Sequence, residues 1–67
     1  MSIDQVSVKL REYRNKRGLT QADVAKKAGI HVSYYARIER AEVTPTLTVL
    51  EKILKVLKIT SSDVLPF

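Results

Sequence analysis

Apolar residues recur along this chain at three- and four-residue steps, broken at a few small or turn-forming residues, and this divides it into helices. Val6, Leu10 and Tyr13 share one face, which predicts a first helix from about Asp4 to Lys16. Asp4 would serve there as cap or as a first-turn acid facing the helix dipole. Gly18 ends this helix and Leu19 drops toward the core. Thr20 stands ready to cap a second helix starting at Gln21, in which Val24, Ala25 and Ala28 form the buried stripe. Gly29 falls where helices commonly end in a left-handed residue, a conformation that strains glycine little. Ile30 anchors the turn, and a third helix from about Val32 to Arg40 turns Tyr35 and Ile38 inward. The small side chain of Ala25 lets the second and third helices cross at close range, as a steep helix-turn-helix corner requires.

Pro45 pre-sets the entry to a fourth helix, about Thr46 to Leu57. Its apolar residues spread over about 180°, whereas covering one small core needs nearer 100°. Leu47, Leu50, Ile53 and Leu57 suffice for the core, which leaves Val49 and Val56 in excess.

Composition narrows the function classes. With 67 residues the chain is expected to form a single domain over 1–67, with no room for a separate catalytic or effector domain. A core of that size is marginal, and the absence of cysteine removes disulfides and thiolate metal ligands as supports. Self-association is the natural remaining support. No long apolar run is present and Asp4 interrupts any signal-like start, so a soluble cytoplasmic protein with no membrane partner is expected. An enzyme is not: there is one histidine, no cysteine, and no carboxylate pair set beside a base or a glycine-rich phosphate loop. For the same reasons neither a metal site nor a cofactor is expected. The formal charge of +5 lies wholly in residues 1–40, where nine Lys/Arg face four acids, while residues 41–67 balance three against three. Such asymmetry suits a phosphate-facing surface, and it equally suits a basic face that is merely solvated.

The spacing of Ala25, Gly29, Tyr35 and Ile38 resembles the helix-turn-helix of the phage repressor/Cro family, also called XRE. The likeness continues through LREYRNKRGLTQ before that unit and RIERAEVTPTLTVL after it, so roughly residues 6 to 65 are covered. It implies an all-α fold, a compact five-helix bundle of the lambda repressor type, with the tail ITSSDVLPF as a short fifth helix. It also implies that the third helix enters the major groove of double-stranded DNA. The family reads bases from the positions held here by Val32, Ser33, Tyr34 and Arg37. Arg37 can fork onto guanine O6 and N7, or remain a solvated partner of a nearby acid. Ser33 can donate or accept, and Val32 offers an apolar contact to a thymine methyl. Tyr34 can touch DNA or pack beside the second helix.

Backbone contacts follow from the same resemblance. Gln21 would hold a phosphate at the start of the second helix, and Arg40, Thr44 and Thr46 would grip the other strand. His31 stands where the family usually has Ser or Thr, and would cap the third helix or touch a phosphate. Tyr35 replaces a branched or leucine residue, so a ring must fit and its hydroxyl must find water or a polar neighbour. Ala41 and Lys58 stand where glycine is usual, which implies slightly reshaped or strained corners. Lys16, Arg17, Lys26 and Lys27 are expected to add only nonspecific field or simple solvation. Arg14 and Glu39 match a pair that braces the first helix against the third.

Val49, Val56, Val64, Leu65 and Phe67 would form an apolar patch, either the interface of a homodimer or the completion of a thin monomer core. The family dimerises through its C-terminal elements, and a two-fold dimer would place two recognition helices about 34 Å apart on a palindromic operator. The function implied is a sequence-specific transcriptional regulator, most like the controller proteins of restriction–modification systems, some of which touch RNA polymerase. An antitoxin-type module, with the apolar patch reserved for a toxin protein, is the alternative.

Overall fold

Four helices follow one another in the computed structural model, which describes residues 3–58: α1 (Ile3–Lys16), α2 (Gln21–Ala28), α3 (Val32–Glu39) and α4 (Leu47–Leu57). No strand occurs among the described residues. The tail expected to form a fifth helix, with Val64, Leu65 and Phe67, lies outside them. α2 packs on both α3 and α4, and α1 closes against α3. The core is the sum of the four apolar stripes: Val6 and Leu10 from α1, Val24, Ala25 and Ala28 from α2, Tyr35 and Ile38 from α3, and Leu50, Ile53, Leu54 and Leu57 from α4. Tyr13, Leu19 and Ile30 pack on its margin, half-buried. Ser7 is buried as well, because its hydroxyl donates to the Ile38 carbonyl at 2.6 Å and so ties α1 to the end of α3.

Helix starts follow the capping chemistry of the sequence. The Thr20 hydroxyl accepts from the Asp23 N–H at 3.0 Å while the Asp23 carboxylate accepts from the Thr20 N–H at 2.9 Å, a reciprocal box that satisfies two orphan donors. The Thr20 N–H bond holds the Asp23 carboxyl below its ordinary pKa. Thr46 caps α4 in the simpler way, its hydroxyl accepting from Val49 N–H at 3.2 Å. α1 begins at Ile3, so Asp4 falls inside the first turn rather than ahead of it as a cap.

Helix ends share one device. After α1, α2 and α3 the chain turns left-handed and makes a paired closure typical of Schellman turns. Gly18, Gly29 and Ala41 have φ of 68°, 73° and 60°. Their N–H groups donate to Asn15, Lys26 and Ile38, and the next residues donate to Arg14, Ala25 and Arg37. Lys58 turns the same way after α4, with φ 57° and its N–H on Lys55. The backbone at 41 and 58 thus keeps the conformation a glycine would take, and the non-glycine residues carry the strain.

Several side chains of α4, and Arg17 beside it, depart from the expected pattern. Leu47 is 64% exposed and contributes nothing to the core, whereas Leu54 is buried. The α4 face that meets α2 therefore runs through 50, 53, 54 and 57, one step round from the stripe that includes 47. Val49 and Val56 are half-buried against the core rather than surplus to it. Arg17 is not a free surface charge: its Nε donates to the Leu57 carbonyl at 2.9 Å and its Nη2 to the Lys58 carbonyl at 3.4 Å, so it caps the end of α4. It also lies over the Tyr13 ring, 6.0 Å from the centroid.

Candidate nucleic-acid interface

α3 presents one face to the core and the opposite face to solvent, as its period dictates. Tyr35 and Ile38 are buried, which leaves Val32, Ser33 and Arg37 exposed. Ser33 and Arg37, four residues apart, stand one above the other on that outer face. Tyr34 is half-buried and packs on the margin of the core, so only part of its ring reaches the surface. His31 occupies the cap position of α3, but its side chain does not cap; Nδ1 instead lies 3.2 Å from Ser33 Oγ. The first turn of α3 thus keeps its N–H groups free of any side-chain cap.

The other end of α3 is organised by Glu39, 4% exposed in the last turn. Arg14 of α1 donates Nε to Oε2 at 2.6 Å and Nη2 to Oε1 at 3.1 Å, and Gln21 of α2 donates Nε2 to the same Oε1 at 3.1 Å. Arg14 Nη1 also donates to the Leu19 carbonyl at 2.9 Å. One carboxylate therefore joins three helices. Burial pushes the Glu39 carboxyl up, but the hydrogen bonds from Arg14 and Gln21 outweigh it and hold the group below its ordinary value. The hydrogen bond to Glu39 raises the Arg14 guanidinium in turn. Burial likewise raises the Tyr35 phenol. Its hydroxyl lies beside this pair without a well-formed hydrogen bond to any described residue, so the polar neighbour expected for it is close but not engaged. Gln21 is half-buried: one amide N–H is committed to Glu39 and the other remains for a ligand.

Beyond α3 the turn at Ala41 brings Glu42 back beside the outer arginines. Arg40 donates Nε to Glu42 Oε2 at 2.5 Å and Nη2 to Oε1 at 3.4 Å, while Arg37 Nε lies 3.7 Å from Oε1. The hydrogen bond from Arg40 holds the Glu42 carboxyl below its ordinary pKa, and the same bond raises Arg40. Thr44 and Thr46 are exposed, and the Thr46 hydroxyl is engaged as the α4 cap.

The residues singled out from sequence thus fall into two clusters and a margin. Arg14, Gln21 and Glu39 form a hydrogen-bonded chain, and Glu42 gathers a hydrogen-bonded Arg40 and an ion-paired Arg37. Val32, Ser33 and His31 line the opposite end of α3. Val49 and Val56 belong to the core margin of α4. Glu42 itself was not singled out, although its position five residues after Arg37 is the one a Schellman turn folds back over the helix. Arg17 and Ser7 gave no such signal. Among the described residues no three His, Cys, Asp or Glu side chains gather closely enough to hold a metal, and no helix is long and apolar enough to cross a membrane.

Comparison with known proteins gives a family. The model of the helix-turn-helix family HTH_3 matches residues 10–64. The HTH-type transcriptional regulator DdrOP3 of Deinococcus deserti is 39% identical over 57 residues, which are 85% of this chain. The match spans only 44% of that relative's length. Among solved structures, the clp gene regulator ClgR from Corynebacterium glutamicum superposes over 96% of this chain and 68% of its own, with a TM-score of 0.91 and 22% identity, a likeness of fold. Two point mutants of the restriction–modification controller protein C.Esp1396I superpose over 96% of this chain and 83% and 85% of theirs. Their TM-scores are 0.87 and 0.86, at 28% and 30% identity.

Proposed function

Since the chain belongs to the HTH_3 helix-turn-helix family, we propose that it is a sequence-specific DNA-binding transcriptional regulator that docks α3 in the major groove. The observation that carries this reading is the outer face of α3. Val32, Ser33 and Arg37 are exposed there while the same helix buries Tyr35 and Ile38, and the start of α2 is tied alongside through Gln21 and Glu39. On this reading Arg37 addresses a guanine, Ser33 a neighbouring base edge and Val32 a thymine methyl, with Tyr34 adding the exposed part of its ring. Gln21 offers its remaining amide N–H to a phosphate at the start of α2. Arg40, Thr44, Thr46 and His31 flank the groove as backbone contacts. The excess of positive charge in residues 1–40 supplies the long-range attraction.

The protein acts as a homodimer on a palindromic operator, the two copies of α3 about 34 Å apart. The likeness to a restriction–modification controller supports a role of that type, in which contact with RNA polymerase would convert binding into activation. Selection of bound duplexes from random sequence, with the mass of the complex measured, tests both statements. Arg37→Ala should then weaken binding to the selected site by about 1–3 kcal/mol and relax the preference at one base pair in each half-site. A loss spread equally over all sequences would make Arg37 a phosphate contact. A selection that returns no common motif would end the reading.

A further inference from the structure

Glu42 has no duty in the core. At the equivalent position after α1 and α2 stand Leu19 and Ile30, apolar residues that pack on the core margin, as the Schellman turn ordinarily provides. After α3 the same turn, with the Glu42 N–H on the Arg37 carbonyl at 2.9 Å, delivers an exposed carboxylate to two exposed arginines instead. The pairing is unequal. Arg40 spends its whole side edge, Nε and Nη2, on Glu42, whereas Arg37 is approached only at Nε. A guanidinium has five N–H donors, so an arginine held at Nε keeps the terminal Nη1/Nη2 pair free as a fork.

We propose that Glu42 is a specificity-determining residue of this surface, an inference that rests on the DNA-binding reading above. It steadies Arg37 from the side, with the terminal fork free for a guanine edge. It also competes with phosphates for Arg40 and offsets one unit of positive charge, whatever the sequence of the duplex. The two effects act on different parts of the binding free energy. Sequence-independent binding comes from neutralised phosphates and released counterions, whereas a base contact adds discrimination without adding a counterion. A carboxylate beside the arginines therefore weakens binding to arbitrary duplex more than binding to the preferred site. An exposed ion pair contributes little to folding, so the role shows in binding rather than in stability.

The test is Glu42→Gln in the full chain, which keeps size and a hydrogen-bond acceptor but removes the charge. Binding would be followed by fluorescence anisotropy on a random-sequence duplex and on the duplex selected by the wild-type protein, over a range of salt. The variant should hold the random duplex several-fold tighter, up to about eight-fold at about 0.1 M salt, with the slope of log K against log salt steeper by about one. The selected duplex should gain less, so the ratio of the two affinities falls, and thermal melting should be unchanged. If wild type discriminates but Glu42→Gln gains nothing on random duplex, or gains equally on both, the role of Glu42 is overturned while the DNA-binding reading stands. If wild type ignores both duplexes at low salt, both fail together.

Discussion

Arg14→Met removes a guanidinium while keeping most of the side-chain stem, so it isolates the fate of the Glu39 carboxylate. In the wild-type fold that carboxylate takes three N–H groups, two from Arg14 and one from Gln21. In the variant the charged donors go and the amide remains. A buried carboxylate left without its charged partner costs about 3–5 kcal/mol at neutral pH. A chain of this length holds only about 3–10 kcal/mol in total, so the variant should sit near its unfolding threshold. Urea titration followed by circular dichroism at fixed protein concentration reads the difference, with an osmolyte added if no folded baseline survives. The pH dependence identifies the cause. In wild type the Glu39 pKa is depressed, so its contribution is complete above the unfolded value, about 4.3, and is lost as pH falls through the folded value. In Arg14→Met burial dominates and the folded pKa moves above the unfolded one. The penalty is then absent below about pH 4 and grows as pH rises to the new folded value. The deficit relative to wild type should therefore shrink as pH falls below about 4, leaving only the lost bond to the Leu19 carbonyl and imperfect packing, about 1 kcal/mol, once Glu39 is protonated in both. Adding Glu39→Gln to Arg14→Met should recover much of the loss at pH 7. A deficit of equal size at pH 3 and pH 7, or no recovery in the double variant, would refute the stranded-carboxylate account and assign the loss to packing.

Ala41→Gly and Lys58→Gly should each raise stability by about 1 kcal/mol, because φ is 60° and 57° at these positions and glycine adopts such angles without the Cβ penalty. An upward shift in melting temperature checks this, and unchanged or lowered values would mean the chain turns differently in solution. Arg17→Met should cost about 1 kcal/mol and speed hydrogen exchange at the end of α4, since it removes the donors to the Leu57 and Lys58 carbonyls. Its affinity for random duplex should fall far less than that of an Arg40→Met variant, and equal losses would return Arg17 to the charged surface.

Most of the helical layout was legible because local chemistry and periodicity agreed. The caps at Thr20 and Thr46, the left-handed glycines at 18 and 29 and the stripes through 6 and 10, 24, 25 and 28, and 35 and 38 all act within a few residues in sequence. Legibility failed where a helix face is chosen by a distant partner. In α4 both Leu47 and Leu54 fit an apolar stripe, and only the angle at which α4 meets α2 decides that 54 is buried and 47 exposed. Arg17 read as a surface charge because its partners are carbonyls some forty residues away, and carbonyls carry no sequence signature. Glu42 was lost for a different reason. The turn at Ala41 signals only unusual backbone in the sequence, and nothing local marks that it folds residue 42 back over Arg37. His31 sits at a cap position without the short side chain that capping geometry favours, and its ring turns to Ser33 instead.

Two carboxylates three residues apart take arginine partners with opposite consequences. Glu39 is cut off from water, so its partners decide whether the fold holds; Glu42 keeps its hydration, so its partners decide only how much charge the surface shows. The buried one also fixes geometry at the surface. Because Gln21 and Arg14 meet on Glu39, the start of α2 and the end of α3 are held within hydrogen-bond tolerance of each other. That tolerance is what a phosphate contact at 21 and base contacts at 33 and 37 require if they are to engage one duplex together. The side chains at 33 and 37 are exposed, so the core does not constrain which residues stand there. Exchanging those two residues should change the sequence preferred while leaving stability where it was, whereas exchanging Glu39 should cost stability and exchanging Glu42 should raise affinity for random duplex, with melting unchanged.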